Sequence, residues 1–222
     1  MRQVIYLVKP TLIERVKMAG RGRPRKFDRS EALNLAMNLF WQRGYDGTSL
    51  INLEETLSLK APSIYAAFGS KEKLFCEAVE RYLETDGAII AKAIEEAPTG
   101  FEAAQALLYV SARVFCRKDK PWGCMIALEG LHEHSSNEAI RDLLANLRDA
   151  NIHRLLRKLE CDVANKVLSK EQDWQKLATY FVTVQQGMAI RARNGANLEA
   201  LIDVADCAML AWPSSAMISS IN

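Results

Sequence analysis

Two short amphipathic segments, separated by a break of only a few residues, constrain the fold of this chain most strongly. In the first, leucines recur at helical spacing from Leu50 to Leu57, after Thr48 or Ser49 as a possible N-cap. The second covers residues 61–68 and carries a proline in its first turn, where helices tolerate it. Two short helices that meet at a large angle form a helix-turn-helix, whose second helix enters the DNA major groove.

The flanking sequence predicts a helix on each side of this pair. Asp28 and Glu31 have the spacing of a capping box, and Gly44 is a natural C-terminal stop for the preceding helix. After the pair, Ser70 can cap a long helix that we expect to continue toward Ile94. A continuous helix of this length would join the DNA-reading end to the rest of the chain.

The remaining sequence is also helical in pattern, and no alternating strand is visible. We therefore predict an all-α fold of about nine helices. Residues 21–72 are assigned to a three-helix DNA-binding domain and residues 73–222 to a second helical domain. Met18 opens a stretch that reads like a natural N-terminus, so the first 17 residues are expected to be a disordered extension or an upstream start choice, and residues 1–20 are assigned to this extension. The later helices are expected at 101–118, 122–134, 137–160, 170–194 and 197–211.

Charge and cysteine content narrow the class of protein further. Residues 1–29 contain nine basic and two acidic residues, so they carry +7 of a total charge of +2 and leave −5 on the rest. A basic end on a mildly acidic body indicates a polyanionic partner at one pole. The five cysteines are scattered without a CxxC pair, and no apolar run is long enough to span a bilayer. A cytoplasmic protein, located on the nucleoid when bound to DNA, fits this composition.

The helix-turn-helix geometry assigns candidate DNA contacts by which face each residue occupies. Lys60 or Ser63 is expected at base edges, and Ala61 or Pro62 at a thymine methyl group. Phosphate contacts are expected from Tyr65, Thr48 and Lys71. Lys71 lies at the start of the fourth helix, where free N–H groups favour an anion. The basic arm is expected to follow the backbone or enter the minor groove. The full candidate set is Arg21, Arg23, Arg25, Lys26, Thr48, Ser49, Lys60, Ala61, Pro62, Ser63, Tyr65, Ala66 and Lys71.

At these positions the chain resembles the TetR family of bacterial transcriptional regulators, over roughly residues 22–82. It departs from the family pattern at Ser58, where a turn glycine is usual, and at Lys60, which replaces a small capping residue. Ser58 is therefore expected to adopt a left-handed conformation, or the turn to differ slightly. The resemblance rests on Phe40, Gly44 and Tyr45, on Thr48 and Ser49, on Ser63, Ile64, Tyr65 and Phe68, and on Gly69, Ser70, Lys71, Glu72 and Leu74; the GRPRKF arm with PSIYAAFGSKEKLF is typical of one subgroup.

The resemblance implies a homodimeric regulator, most often a repressor, released from a palindromic operator by a small molecule. Its C-terminal half is then expected to hold an effector pocket, and its last two long helices a dimer interface. Candidate pocket residues are Tyr109, Phe115, Trp122, Met125, Glu129, His132, Tyr180 and Met188, with Cys124 and Gln186 nearby in the pattern; candidate interface residues are Leu177, Phe181, Val184, Leu201, Ala205, Ala208 and Met209.

Three other interpretations are weighed against this one. Cys124 could make the protein a thiol-redox-responsive DNA-binding regulator. An enzyme tethered to DNA is disfavoured, because the chain has no nucleophile elbow, P-loop, GxGxxG or HExxH motif, and no cofactor is predicted. An architectural DNA protein would bind without sequence preference. No metal site is predicted, since His134 lies about 200° around a helix from His132, whereas Glu129 shares the face of His132.

Overall fold

The computed structural model describes residues 27–129 and 138–213, and within these ranges the chain is helical without any strand. The all-α prediction is confirmed. Where the sequence predicts one long fourth helix, the structure has two, so the described residues form ten helices. These are α1 (Arg29–Arg43), α2 (Leu50–Leu57), α3 (Ala61–Phe68), α4 (Lys71–Glu84), α5 (Asp86–Glu96), α6 (Gly100–Phe115), α7 (Met125–Glu129), α8 (Glu138–Ala164), α9 (Trp174–Arg193) and α10 (Leu198–Met209).

Helix α1 is capped by the two residues that the sequence predicts, Asp28 and Gly44. The Asp28 carboxylate accepts from the backbone N–H groups of Ser30 and Glu31, at 2.7 and 3.2 Å. At the other end Gly44 has φ +73°, a conformation that favours glycine. The helix buries an apolar face that includes Leu39 and Phe40. It packs mainly against α4, which places it behind the two shorter helices.

The first residue of the turn between α2 and α3 has a left-handed backbone conformation. Ser58 has φ +52° and ψ +37°, and its N–H donates to the carbonyl oxygens of Glu54 and Glu55. The expectation of a left-handed Ser58 is confirmed. Serine adopts this conformation at a cost that glycine would avoid.

The predicted continuous helix from Ser70 toward Ile94 is wrong, because the chain breaks at Thr85 (φ −115°, ψ −89°). Asp86 follows directly and is almost fully buried. Its carboxylate pairs with Arg117 and, at 3.1 Å, with Lys120 in the loop after α6. These two pairs hold the start of α5 against that loop, so the direction of the chain changes where α4 ends.

The apolar core of the three-helix unit continues beyond residue 72. The cluster that holds Phe40, Phe75 and Tyr82 also includes Met125 and Ile126 of α7 and residues of early α8. A second cluster is centred on α6, with contributions from α5, α8, α9 and α10. The two halves are therefore joined through α7 as well as through α4. No helix among the described residues is long and apolar enough to cross a membrane.

Candidate nucleic-acid interface and effector cavity

Helix α3 divides cleanly into an inward and an outward face. Ile64 and Phe68 are buried in the core of the three-helix unit. The residues predicted to meet DNA lie on the other face. Tyr65 is 43% exposed, Ala61 is half-buried, and Lys60, Pro62, Ser63 and Ala66 are exposed. The structure thus presents this set outward together; their contacts with DNA remain predictions.

A carboxylate from α2 caps the recognition helix, which sequence reasoning missed. Lys60 occupies the N-cap position and makes no side-chain capping bond. Instead, Glu54 Oε1 accepts from the backbone N–H of Ala61 at 2.6 Å. The positive N-terminal end of the helix dipole also stabilises the Glu54 carboxylate in this position. Because Glu54 supplies the cap, position 60 is open to a side chain that contacts DNA.

The C-terminal end of α3 is braced from α1 by Arg29. Its guanidinium pairs with Glu77 of α4 at 2.6 Å and donates to the Ala67 carbonyl at 3.3 Å. The same group lies 4.5 Å from the centre of the Phe68 ring. Both ends of the recognition helix are therefore held by charged side chains of neighbouring helices.

The two candidates at the start of α2 have different roles from those predicted. Thr48 is fully buried, and its hydroxyl donates to the Gly44 carbonyl at 2.6 Å. The prediction of a phosphate contact by the Thr48 side chain is wrong, because the hydroxyl bonds inside the three-helix unit α1–α3, which we call the reader. Ser49 is exposed and forms a reciprocal capping box with Asn52. Its exposure leaves it as a candidate at the DNA surface.

Lys71 lies at the N-terminal end of α4, where Ser70 is the cap. Its ammonium nitrogen is 4.2 Å from the centre of the Tyr45 ring. Burial lowers the pKa of Lys71, and the nearby Asp46 and Glu129 carboxylates oppose that shift. Lys71 is half-buried at the edge of the reader rather than extended into solvent. The predicted arm residues Arg21, Arg23, Arg25 and Lys26, and the extension over 1–20, lie outside the described residues.

A cavity of about 140 Å³ lies among α4, α5, α7, α8 and α9. Apolar side chains, among them Leu83 and Ile90, form part of its wall. The polar lining comes from two sides, with Cys124 accepting a hydrogen bond from the Tyr82 hydroxyl at 3.3 Å. Burial, and then the neighbouring Cys124, raise the pKa of Tyr82 well above its usual value. The remaining polar lining residues are Arg148, Asn151 and Arg154 of α8 and Gln185 and Gln186 of α9.

The chain is similar to known bacterial regulators over most of its length. The family described as "Bacterial regulatory proteins, tetR family" matches residues 32–78. The transcriptional repressor ComR of Escherichia coli is 36% identical over 196 residues, 87% of this chain and 93% of ComR. The repressor BdcR of Escherichia coli is 31% identical over 182 residues, 81% of this chain and 86% of BdcR.

A solved structure extends this similarity to the fold. It contains a cysteine-substituted form of the TetR-family regulator CifR, complexed with a 26-base-pair operator duplex. CifR is 38% identical to this chain. The two structures superpose with a TM-score of 0.82 over 86% of this chain and 100% of the CifR chain. The chain belongs to the TetR family. It is accordingly a transcriptional regulator and not an enzyme.

The cavity of this TetR-family protein is not lined by the pocket residues predicted from the sequence. Phe115 and Met188 are buried in the core around α6. The Tyr109 hydroxyl donates to Asp206 of α10 at 2.6 Å, and Tyr180 is 40% exposed on α9. None of these four side chains lines this cavity, and their contact with an effector stays a prediction. Cys124 and Gln186, which the sequence placed beside the predicted pocket residues, do line the cavity.

The other predicted pocket residues lie close to the DNA-reading unit. Met125 and Glu129 border a concave surface formed with Trp41 and Arg193. The Glu129 carboxylate accepts from the Tyr45 backbone N–H at 2.9 Å, so its role is structural support of the reader. Trp122 is half-buried in the loop before α7. His132 lies outside the described residues.

Several residues predicted for the dimer interface instead fill the core of the single chain. Phe181, Leu201 and Ala205 are fully buried against α6 and its neighbours, and their assignment to the interface surface is wrong. Leu177, Val184 and Met209 are half-buried. The outer face of α9 and α10 forms a shallow groove that includes two of the predicted interface residues, Val184 and Ala208, together with Tyr180, Asp203, Val204 and Cys207.

Proposed function

We propose that this TetR-family protein is a homodimeric repressor that binds a palindromic operator through α3 of each protomer. The observation that carries the proposal is the outward face of α3, capped by Glu54 and braced by Arg29. ComR and BdcR are named as repressors, and CifR is complexed with operator DNA. The site of action is the cytoplasm, on the nucleoid when the operator is occupied.

Footprinting of the purified protein on the DNA upstream of its own gene tests the proposal. We expect protection of a palindrome whose half-sites are separated by about one helical turn or a multiple of it. Binding that depends on salt but shows no sequence preference would contradict the proposal and indicate an architectural role instead.

We assign the dimer interface to the outer face of α9 and α10, which we call the α9–α10 groove. It exposes apolar side chains at helical spacing, with Tyr180 and Val184 on α9 and Val204 on α10. A second copy of the chain is the occupant, because a short recognition helix makes few base contacts and two readers are needed for specific binding.

Replacing Val204 by Glu is expected to convert the dimer to a monomer at micromolar concentration. A carboxylate in each copy would be desolvated against an apolar partner surface, and the two copies would repel each other. Sedimentation velocity measures the change. Ile89→Glu is the matched control, since Ile89 is similarly exposed on α5, away from the groove. A Val204→Glu protein that remains dimeric would place the interface elsewhere.

We assign the effector to the cavity beside α7 and α8. Among its described lining residues, two are arginines and none is acidic. The Arg154 guanidinium is oriented by Glu95 at 3.2 Å and by Asn151 at 3.1 Å. This lining suits a small effector that has an apolar body and an anionic or carbonyl-rich end. Effector binding would favour a conformation of the dimer that fits the operator poorly.

A thiol-responsive repressor is the second candidate, because the Cys124 sulfur lies in the cavity wall within a hydrogen bond of Tyr82. If a thiol reaction triggers release, Cys124→Ser is expected to abolish release from operator DNA by oxidants, measured by fluorescence anisotropy. Cys161→Ser is the control, since Cys161 is exposed on α8 and does not line the cavity. Release that is unchanged in Cys124→Ser would eliminate this candidate and leave the reversible effector.

A further inference from the structure

The C-terminal end of α1 and the turn that follows are held by two side chains from the distant half of the chain. Arg193 donates to the Trp41 carbonyl and, at 3.4 Å, to the Gln42 carbonyl. Glu129 accepts from the Tyr45 N–H at 2.9 Å. The last carbonyls of a helix have no partner within it, and a cation there is favoured by the helix dipole. Both contacts therefore fall on backbone groups that need partners.

These contacts hold the part of the reader that packs around the Tyr45 ring. The Tyr45 ring packs edge-on against Phe75 at 5.2 Å and stacks on Phe40 at 6.4 Å. Glu129 is buried, with 6% of its surface exposed. Burial also lowers the pKa of Arg193, consistent with a guanidinium enclosed between the two halves. A shift of either side chain would move the reader as a unit, because its aromatic core is closely packed.

Glu129 and Arg193 both belong to helices that also line the effector cavity. On α7, Ala127 faces the cavity, and Glu129 lies about 200° around the helix, on the side of the reader. On α9, Gln186 lines the cavity, and Arg193 follows seven residues later on the same face, about two turns further along. Each helix thus connects the wall of the cavity to the end of α1.

We propose that Glu129 and Arg193 are positioning residues that fix the orientation of the reader on the body of the protein. In a dimer, that orientation sets the separation of the two α3 helices and so selects the spacing of the half-sites. The inference rests on the proposed function, since it requires a dimer on two half-sites. It also assigns α7 and α9 as the connections through which the cavity acts on DNA binding, beside α4, which ends at Thr85.

The test measures affinity for operators whose half-site spacing is changed by one base pair in either direction. A changed spacing forces the duplex to twist or the reader to reorient, so we expect the wild-type protein to lose roughly tenfold or more in affinity. In Glu129→Ala and Arg193→Ala the reader is held less firmly. We expect their preference for the native spacing to fall to about threefold or less, because reorientation then costs little.

Conservative variants and a neighbouring control separate positioning from folding. Glu129→Gln keeps an oxygen that can accept from Tyr45 N–H, so we expect it to retain the wild-type preference. Arg193→Lys keeps the cation but not the two-carbonyl geometry, and an intermediate preference is expected. Arg191→Ala removes an exposed cation from the same helical turn and should leave the preference unchanged. If Glu129→Ala does not fold, the two Arg193 variants decide.

The outcomes that overturn the inference differ from those that overturn the proposed function. If Glu129→Ala and Arg193→Ala lose affinity by the same factor at every spacing, the contacts only stabilise the fold and the inference is wrong. The inference is also wrong if both variants keep the wild-type spacing preference. If the wild-type protein itself shows no palindrome or no spacing preference, the dimeric repressor is wrong, whatever the variants do.

Discussion

Replacing Lys60 and Tyr65 together by Ala is expected to lower operator affinity by roughly 10³-fold. Both side chains are exposed, Lys60 at the N-cap of α3 and Tyr65 on its outward face. A lost base or phosphate contact costs on the order of 1 kcal/mol or more, and each contact occurs twice in a dimer. Four lost contacts then amount to about 4 kcal/mol, which is about a thousandfold in the dissociation constant.

The two single variants are expected to differ in kind. Lys60→Ala, at a base edge, should relax the sequence preference at one position of each half-site. Tyr65→Ala, at a phosphate, should weaken binding to all sequences by a similar factor. Fluorescence anisotropy at one fixed salt concentration measures both effects, since phosphate contacts make affinity depend on salt.

A matched double variant controls for loss of the same residue types elsewhere. Lys92 is exposed on α5, and the Tyr109 hydroxyl of α6 donates to Asp206 of α10, so neither residue belongs to α1–α3. Lys92→Ala with Tyr109→Ala should bind the operator as the wild type does. Normal affinity in the Lys60 and Tyr65 double variant would mean that α3 does not read DNA through this face.

Features of the fold that depend on neighbouring residues could be predicted from the sequence. The caps at Asp28, Ser49 and Ser70 each involve a backbone N–H two or three residues away. The left-handed Ser58 follows from its place in a short turn between two helices. In each case the chemistry lies within one turn of helix, so a local pattern contains all the information needed.

Features that depend on distant partners could not be predicted in this way. The break at Thr85 coincides with pairing of Asp86 to Arg117 and Lys120, more than 30 residues away. The Glu54 cap on α3 comes from the preceding helix. A period of 3.6 residues shows which side chains share a face, but not which helix lies against that face.

Helix α9 shows why the sequence did not separate core residues from interface residues. Phe181 is fully buried against α6, whereas its neighbour Tyr180 is exposed in the α9–α10 groove. Both are aromatic, and both faces of α9 carry apolar residues, one toward the core and one toward solvent. Sequence alone does not distinguish a core face from an interface face on such a helix, because burial by a partner and burial by the same chain select similar residues.

Replacing Gly123 by Ala is expected to cost about 3 kcal/mol of unfolding free energy, the sum of backbone strain and overpacking. Gly123 has φ +86°, in the region that favours glycine. A Cβ at this position would lie 2.6 Å from the Ala189 carbonyl oxygen and 2.9 Å from Leu128 Cδ1. For a chain of this size the midpoint of thermal unfolding should fall by roughly 6–12 °C.

The substitution is also expected to affect DNA binding, since Gly123 lies between the core and α7. Its N–H donates to the Phe115 carbonyl at 2.9 Å, and the next residue is Cys124 of the cavity wall. To relieve the clash, α7 must move relative to α9, and Glu129 moves with it. We therefore expect Gly123→Ala to show reduced operator affinity at temperatures where it is still folded.

Gly195→Ala is the matched control for strain without a clash. Gly195 has φ +93°, and a Cβ there would meet no atom within 4 Å. Only the conformational cost remains, about 1 kcal/mol, and operator affinity should be unchanged. If differential scanning calorimetry gives the same small loss for both variants, the contact of Gly123 with Ala189 is not close. The loop before α7 would then have room to move independently of α9, and α7 could not transmit the state of the cavity to the reader in the way inferred.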